Sequence, residues 1–246
     1  MYKGKISSYS LWHFTKSFDI ILSIVKNGFY PRTAKEDMNF LMKNYEHAYI
    51  GTPMVCFTDV PLDHLDEHTK QYGQFGIGMK KEWGINNRLN PILYIVDNSD
   101  LNNAILKLQW NIIQRGKEDE SQINEITDLF WGMAGYFKRY MEQESKKPYY
   151  DEREWRYLVP FCEGEYTYRL MGDDLTDERI ERLNMEVQYK FPLKFSLNDI
   201  DNIIIPDSED LDTIKLNNIY RNTDFTEEEK NILANKLSYK KNLCDE

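Results

Sequence analysis

Four strongly apolar segments of this chain carry polar residues where such residues are costly: Trp12-His13-Phe14-Thr15, Val55-Cys56-Phe57-Thr58-Asp59, Tyr72-Gly73-Gln74-Phe75-Gly76-Ile77-Gly78 and Glu152-Arg153-Glu154-Trp155-Arg156. Burying an ionisable group costs several kcal/mol unless it is paired or used. His13 and Glu154, set among Trp, Phe, Tyr, Leu and Val, therefore call for a pairing or a use.

In a strand, successive side chains alternate between faces, so His13 and Thr15 point one way while Trp12 and Phe14 point the other. A polar strand face can line a cleft; a solvent-facing edge or a hydrogen-bonded core histidine would give the same pattern. Glu152, Glu154 and Arg156 alternate similarly, with Arg153 and Trp155 opposite, which predicts two carboxylates and a guanidinium along one strand edge. A neighbouring Arg keeps a carboxylate ionised, and an ionised Glu aimed at a sugar carbon suits a reaction through an oxocarbenium-like transition state. A salt-bridged strand is the structural alternative.

Around these segments the periodicity predicts an α+β protein with a mostly antiparallel sheet, strands at both ends and helices segregated in the middle, as one domain over residues 1–246. After the first strand, Ser17 is an N-cap for a helix burying Phe18, Ile21, Leu22 and Val25, with Asn27-Gly28 as its stop. Arg32 to Gly51 reads as polar and irregular, with a short helical stretch around Phe40 to Tyr45, before a strand from Met54 to Thr58. A helix from Asp63 to about Gln71 is expected next, then strands at Phe75–Met79 and Pro91–Val96 separated by a Lys-Lys-Glu-Trp-Gly turn region. A helical insert covers about 101–146, because Ile126, Phe130, Met133, Phe137 and Met141 recur at spacings of three and four. A strand over Glu154–Phe161, loop plus short helix to Arg182, and strands at Val187–Lys190 with Leu193–Leu197 and at Ile203–Ile205 complete the expected fold. Thr226-x-x-Glu229 is a capping box, placing a last helix over about 226–240.

Several chemistries are argued against. The glycines at 73, 76 and 78 run G-x-x-G-x-G into a strand-like stretch, so they are not a dinucleotide-binding G-x-G-x-x-G. His64 and His68 are four apart with Asp63, Asp66 and Glu67 nearby, but no third ligand can be named, and no metal is expected. Cys56 sits between Val55 and Phe57 as a packed thiol without an activating base. Cys56, Cys162 and Cys244 are too far apart for a metal knuckle or a disulfide framework. A formal charge of −10 opposes unspecific binding to nucleic acid or an anionic membrane surface. With no apolar leader-like region and no run of about 18 apolar residues, a cytoplasmic protein without membrane contact is expected.

Taken together, Leu11–Thr15, Met54–Leu62 (MVCFTDVPL), His68 with Tyr72-Gly73, Phe75–Met79, Lys81-Glu82-Trp83, Asn90-Pro91 and Glu152–Arg156 resemble the AbiGi-like abortive-infection family of bacterial phage-defence proteins over roughly residues 9 to 205. That resemblance implies an antitoxin component of a toxin–antitoxin pair, with a cognate toxin or antitoxin protein as partner. A more distant resemblance, to ADP-ribosyltransferase folds, lies in the order His13-x-Thr15, Tyr72, Glu154. It implies NAD as a substrate, with His13 on a ribose hydroxyl, Tyr72 stacked on the nicotinamide and Glu154 polarising the nicotinamide ribose as the glycosidic bond breaks. It further implies Glu152 helping to choose a protein or nucleic-acid acceptor, and Thr15 and Thr58 completing the cofactor-binding set. The chain departs from that pattern in its long insert, in lacking a Ser-Thr-Ser strand motif, and in placing Tyr72 at a helix end. Two functions follow as expectations: a phage-defence enzyme moving ADP-ribose to or from a cellular target, or a non-catalytic antitoxin or sensor that binds a toxin. A metal-dependent nuclease or hydrolase using His64 and His68 is a third, more remote reading.

Overall fold

A computed structural model describes residues 7–42, 48–116, 120–160 and 168–243, with the backbone alone at 67, 68, 113, 115, 116 and 120–125. Phe161, Cys162 and Cys244 lie outside the described residues, and the strand expected to reach Phe161 ends already at Leu158. The chain opens with β1 (Ser10–Thr15) and α1 (Phe18–Asn27), which buries Phe18, Ile21 and Ile24. Gly28 ends α1 at φ 80°, its N–H donating to the Ile24 carbonyl at 2.8 Å. That left-handed turn suits glycine.

Next come β2 (Arg32–Asp37), β3 (Tyr49–Thr58), α2 (Asp66–Tyr72), β4 (Phe75–Lys80) and α3 (Lys81–Asn86). Two short strands, β5 (Asn90–Pro91) and β6 (Leu93–Ile95), precede the helical insert of α4 (Asp100–Gly116) and α5 (Glu120–Ala134). After it follow β7 (Phe137–Arg139), β8 (Glu154–Leu158), β9 (Leu170–Met171) and α6 (Asp177–Lys190). The last elements are β10 (Ile200–Ile205), α7 (Leu211–Ile214) running into a π-helical turn to Tyr220, α8 (Glu227–Lys236) and β11 (Leu237–Tyr239).

Among the described residues, the main sheet runs β11-β10-β4-β1-β3-β8-β5, with β2 and β9 also paired to β3. Every pairing in it is antiparallel except β10 with β11. A separate two-stranded sheet joins β6 and β7 in parallel. The expected α+β class with a mostly antiparallel sheet is what the chain adopts.

Register assigns the two faces. Trp12 is opposite Thr58, and Thr58 opposite Glu154, so Trp12, Phe14, Met54, Cys56, Thr58, Glu154 and Arg156 share one face. The other face carries Leu11, Val55, Phe57, Ile77, Met79 and Ile203, which make the main core with α1, α3 and α8. The first face has two smaller cores. One joins Trp12, Phe14, Val60, Leu62, Leu65 and Ile204; the other packs Ile50 against Ile105, Ile112, Phe130 and Trp131 of the insert. Between these two cores lies the polar region that includes Glu154.

Several elements differ from the sequence reading. Arg32–Asp37 is a strand although its sequence is polar, because β3 supplies a ladder partner for six consecutive residues. Lys81–Asn86 is a helix burying Trp83, not a turn. Val187–Lys190 belongs to α6, whose buried Leu183 and Val187 follow a helical spacing, and whose Thr176 cap accepts from the Arg179 N–H. Asp63–Gln71 divides into a 3-10 turn, Leu62–His64, and α2, so His64 and His68 do not share one helix. The insert stops being helical at Ala134, since Gly135 lies against β8: a Cβ there would sit 2.7 Å from Leu158 Cδ1. Phe137 and Met141, expected on that helix, instead lie in and after β7. The last helix has its capping box at Thr226 and Glu229 but ends at Lys236, where β11 begins.

Candidate functional site

The polar region is a chain of five charged groups. Arg156, 1% exposed at the centre of β8, donates from Nη1 and Nη2 to the two Glu36 carboxylate oxygens at 2.6 and 2.5 Å. Its Nε donates to Glu154 Oε1 at 2.7 Å, its Nη2 to Glu154 Oε2 at 3.2 Å, and its Nη1 to the Gly135 carbonyl at 2.6 Å. Lys138 on β7 continues the series: its ammonium lies 2.9 Å from Glu154 Oε2 and 2.6 Å from Glu152 Oε2. The order is Glu36, Arg156, Glu154, Lys138, Glu152, with the cations interleaved.

These neighbours decide the charge states. Burial works against the Glu154 anion, but Arg156 and Lys138 outweigh it and bring its pKa down to about 2. Burial likewise opposes the Lys138 cation, and Glu154 with Glu152 more than compensates, so its pKa is raised. The Cys56 thiol is pushed well up by burial and by Glu154, and stays protonated. The residue is partly exposed on the same strand face as Glu154, and its thiol hydrogen-bonds to that carboxylate.

A cavity of about 260 Å³ opens beside this chain of charges, lined among others by His13, Cys56, Thr58, Tyr72, Glu152 and Glu154. It adjoins a second, polar pocket of about 540 Å³, to which Glu36, Tyr72, Lys138 and Glu152 are common and which Tyr49, Arg139, Glu142, Glu144 and Tyr149 also line. His13, Tyr72, Glu152 and Glu154, far apart in sequence, thus border one space.

They reach it differently from the expectation. Glu152 is not on the strand with Glu154: it ends a 3-10 turn, Tyr149–Glu152, and Arg153 at φ 44° turns the chain into β8. The two carboxylates meet through Lys138, not through strand alternation. His13 belongs by register to the face opposite Glu154, with its ring against Phe29 and Phe57 at centroid distances of 5.2 and 5.6 Å. β1 and β3 pair only at Trp12 and Thr58, and β2 takes over that side of β3 from Met54 onward. The Cys56 carbonyl falls in the interval, and His13 Nδ1 lies 2.9 Å from it. A carbonyl can only accept, so Nδ1 carries the hydrogen. Burial lowers the His13 pKa and keeps the ring neutral, leaving Nε2 as an acceptor.

Tyr72 is the last residue of α2 and is 38% exposed. Gly73 holds that helix end on β1: at φ 122°, a Cβ there would stand 2.0 Å from the Thr15 carbonyl oxygen. Burial and Glu152 raise the Tyr72 pKa, so the phenol stays protonated. Thr58 uses its hydroxyl on the Glu152 carbonyl at 2.6 Å, holding the turn that presents Glu152. Thr15 donates to the Ser17 carbonyl at 3.1 Å and lines neither pocket. It closes the turn from β1 into α1.

Lys138 and Glu36 are the members that sequence reasoning missed. Lys138 lay inside a segment assigned to a helix, and Glu36 inside one assigned to an irregular region; only the pairings of β7 and β2 bring them to Arg156 and Glu154. Among the described residues no group of three His, Cys, Asp or Glu is placed to hold a metal ion, and His64 is exposed beside Asp63. No helix among them is long and apolar enough to cross a membrane.

Compared with known proteins, residues 27–206 match the family described as "Putative abortive phage resistance protein AbiGi, antitoxin". The match takes in β3, Tyr72 and the Glu152–Arg156 run, and begins after the His13 segment. The "Abortive phage resistance protein AbiGi" of Lactococcus lactis subsp. cremoris is 31% identical, over 60% of this chain and 68% of that protein. No solved structure matches.

Proposed function

The chain belongs to the AbiGi family of abortive phage resistance proteins, and from that premise we propose that it acts in phage defence through an ADP-ribosyltransferase-like site that takes NAD. The observation that carries this reading is the convergence of His13, Tyr72, Glu152 and Glu154 on one cavity. Enzymatic use of NAD in this sense would supply an ADP-ribosyl group when the bond between nicotinamide and ribose is cleaved.

The residues present suit such a ligand. The inner cavity of about 260 Å³ is below the usual size of a whole cofactor site, roughly 300–1,000 Å³, but matches a ring and a sugar. The adjoining pocket of about 540 Å³ leaves room for the remainder. Each side chain has a role it can fill in its present charge state. Neutral His13 offers Nε2 to a sugar hydroxyl. The half-exposed Tyr72 ring offers a stacking face at the cavity mouth. Glu154, anionic and shielded from water, stabilises positive charge developing on the sugar, an electrostatic effect that a low-dielectric site strengthens. Glu152, half-buried on its turn, faces the outer pocket from which an acceptor would approach.

Binding of NAD to the purified chain tests this. Each of His13→Ala and Tyr72→Ala is expected to weaken binding on the order of tenfold, the worth of one interaction of about 1.4 kcal/mol. Absence of saturable binding by the unaltered protein would refute the NAD site.

A second reading has its own support. The word "antitoxin" in the description of the matching family and the net charge of −10 favour a protein that masks a basic toxin. The two readings separate in cells. An effector expressed alone harms growth and loses that harm on Glu154→Ala, whereas an antitoxin is harmless alone and rescues cells from its toxin.

A further inference from the structure

Both carboxylate oxygens of Glu154 are engaged by cations in this arrangement. Oε1 accepts from Arg156 Nε at 2.7 Å, while Oε2 accepts from Lys138 at 2.9 Å and from Arg156 Nη2 at 3.2 Å. A cationic group that paired with this carboxylate as closely would have to take the place of one of the two cations. They are not equally able to leave.

Arg156 is anchored. Its side chain is 1% exposed on β8, between β3 and β5, and it also donates twice to Glu36 and once to the Gly135 carbonyl. Removing it would leave Glu36 without its cation and the buried Glu154 with Lys138 alone. Lys138 is a single ammonium on a flexible stem, and its side chain is 17% exposed. It comes from a three-residue strand whose partner, β6, is equally short and lies outside the main sheet. It lines both pockets, and its ammonium sits 4.7 Å from the centroid of the Tyr149 ring, next to the outer pocket that Glu142 and Glu144 line. The ammonium already makes that aromatic contact, and the Glu142 and Glu144 carboxylates of the outer pocket give it charges to move toward.

We infer that the space between Glu152 and Glu154 is a subsite for a cation, that Lys138 fills it as the chain's own occupant, and that a substrate's cationic ring enters by displacing the Lys138 ammonium into the outer pocket, toward Glu142 and Glu144. The inference rests on the NAD reading, and it adds a charge requirement and a built-in brake. The oxidised nicotinamide ring carries a positive charge and can replace the ammonium between the carboxylates; the reduced ring is neutral and cannot. Lys138 holds the site closed until a competing cation arrives.

The test is equilibrium binding of oxidised and reduced dinucleotide to the full chain as wild type, Lys138→Met and Lys138→Met with Glu152→Gln, with thermal melts to confirm folding. Lys138→Gln is a second version that keeps a polar group should the methionine variant fold poorly. The inference expects Lys138→Met to bind the oxidised form more tightly than wild type by on the order of tenfold. The gain for the reduced form should be smaller, and Glu152→Gln should cancel most of the gain for the oxidised form. Equal or weaker binding of the oxidised form by Lys138→Met and Lys138→Gln, with wild type still binding, would overturn the brake and leave the NAD reading standing. An equal gain for both forms would overturn the cation subsite. No binding of either form by any version would overturn the inference together with the reading on which it rests.

Discussion

In a protein interior a carboxylate persists as an anion only where cations are brought to it, and Glu154 has Arg156 on one side and Lys138 on the other. Breaking such a buried set by removing one partner is expensive, so Arg156→Ala is expected to lower unfolding free energy by about 3–5 kcal/mol, measurable by urea denaturation. The same chemistry sets an acid limit. The folded-state pKa of Glu154, about 2, lies below the ordinary 4.5, so its stabilising contribution is fully present above about pH 4.5 and is lost as pH falls toward 2. His13 acts earlier: its pKa is lowered from the ordinary 6.5, so below that pH the unfolded chain takes up the proton first and stability begins to fall. Unfolding curves measured from pH 7 to pH 3 are therefore expected to show two stages, with His13→Gln flattening the first and leaving the second. At this scale the sequence was partly legible. Alternation marked Glu154 and Arg156 as one face, but Glu36 is 120 residues from Arg156, and no local pattern links them. Thr15 and His13 were read as partners on one cleft face; the divergence of β1 from β3, a tertiary feature, sends the His13 ring into that gap and leaves Thr15 outside the site.

The elements show which signals survive tertiary packing. The glycine stop of α1 and the Thr226–Glu229 capping box follow their sequence signatures because such caps are local chemistry, whereas Ser17 stands at the start of α1 without a side-chain cap hydrogen bond. Replacing Thr226 with Ala is expected to cost about 1 kcal/mol in denaturant unfolding, with no effect on the distant site. β2 and α3 were not legible, since a polar edge strand is made by its neighbour and a six-residue helix carries less than two turns of pattern. Val187–Lys190 was read with the wrong period because only when Leu183 is counted with Val187 does the helical spacing emerge. Gly73 is where an element controls the site: its φ of 122° and its contact with the Thr15 carbonyl fix the end of α2 and so the position of Tyr72. Gly73→Ala is expected to cost more than about 1 kcal/mol and to weaken NAD binding as well, whereas Tyr72→Ala should weaken binding with little loss of stability. Parallel melting and binding curves for the two variants check that difference.

Across the whole molecule the sheet divides the work. One face makes the main core with α1, α3 and α8, while the other carries two smaller cores with the charged groups and the cleft between them. The helical insert belongs to both tasks, since α4 and α5 pack on the second face and β7, directly after them, delivers Lys138. The family was legible in the sequence because its motifs are runs of adjacent residues, and the match over residues 27–206 bears that resemblance out. The cleft was legible only as a set of residues expected to converge. Its closure by Lys138 depends on where the insert returns to the sheet, which no spacing in the sequence records.

In the proposed function Glu154 is the carboxylate that stabilises charge as the nicotinamide–ribose bond breaks. Release of nicotinamide from NAD by the purified chain, with host extract or phage lysate supplying acceptors, measures it directly when wild type is compared with Glu154→Gln. The account predicts release by wild type that falls on the order of 100-fold in the variant, the usual loss when one electrostatic group is removed from a transition state. Release at the same rate by both would remove Glu154 from the chemistry, and no release by wild type under any condition would contradict the enzyme and leave the partner-binding antitoxin.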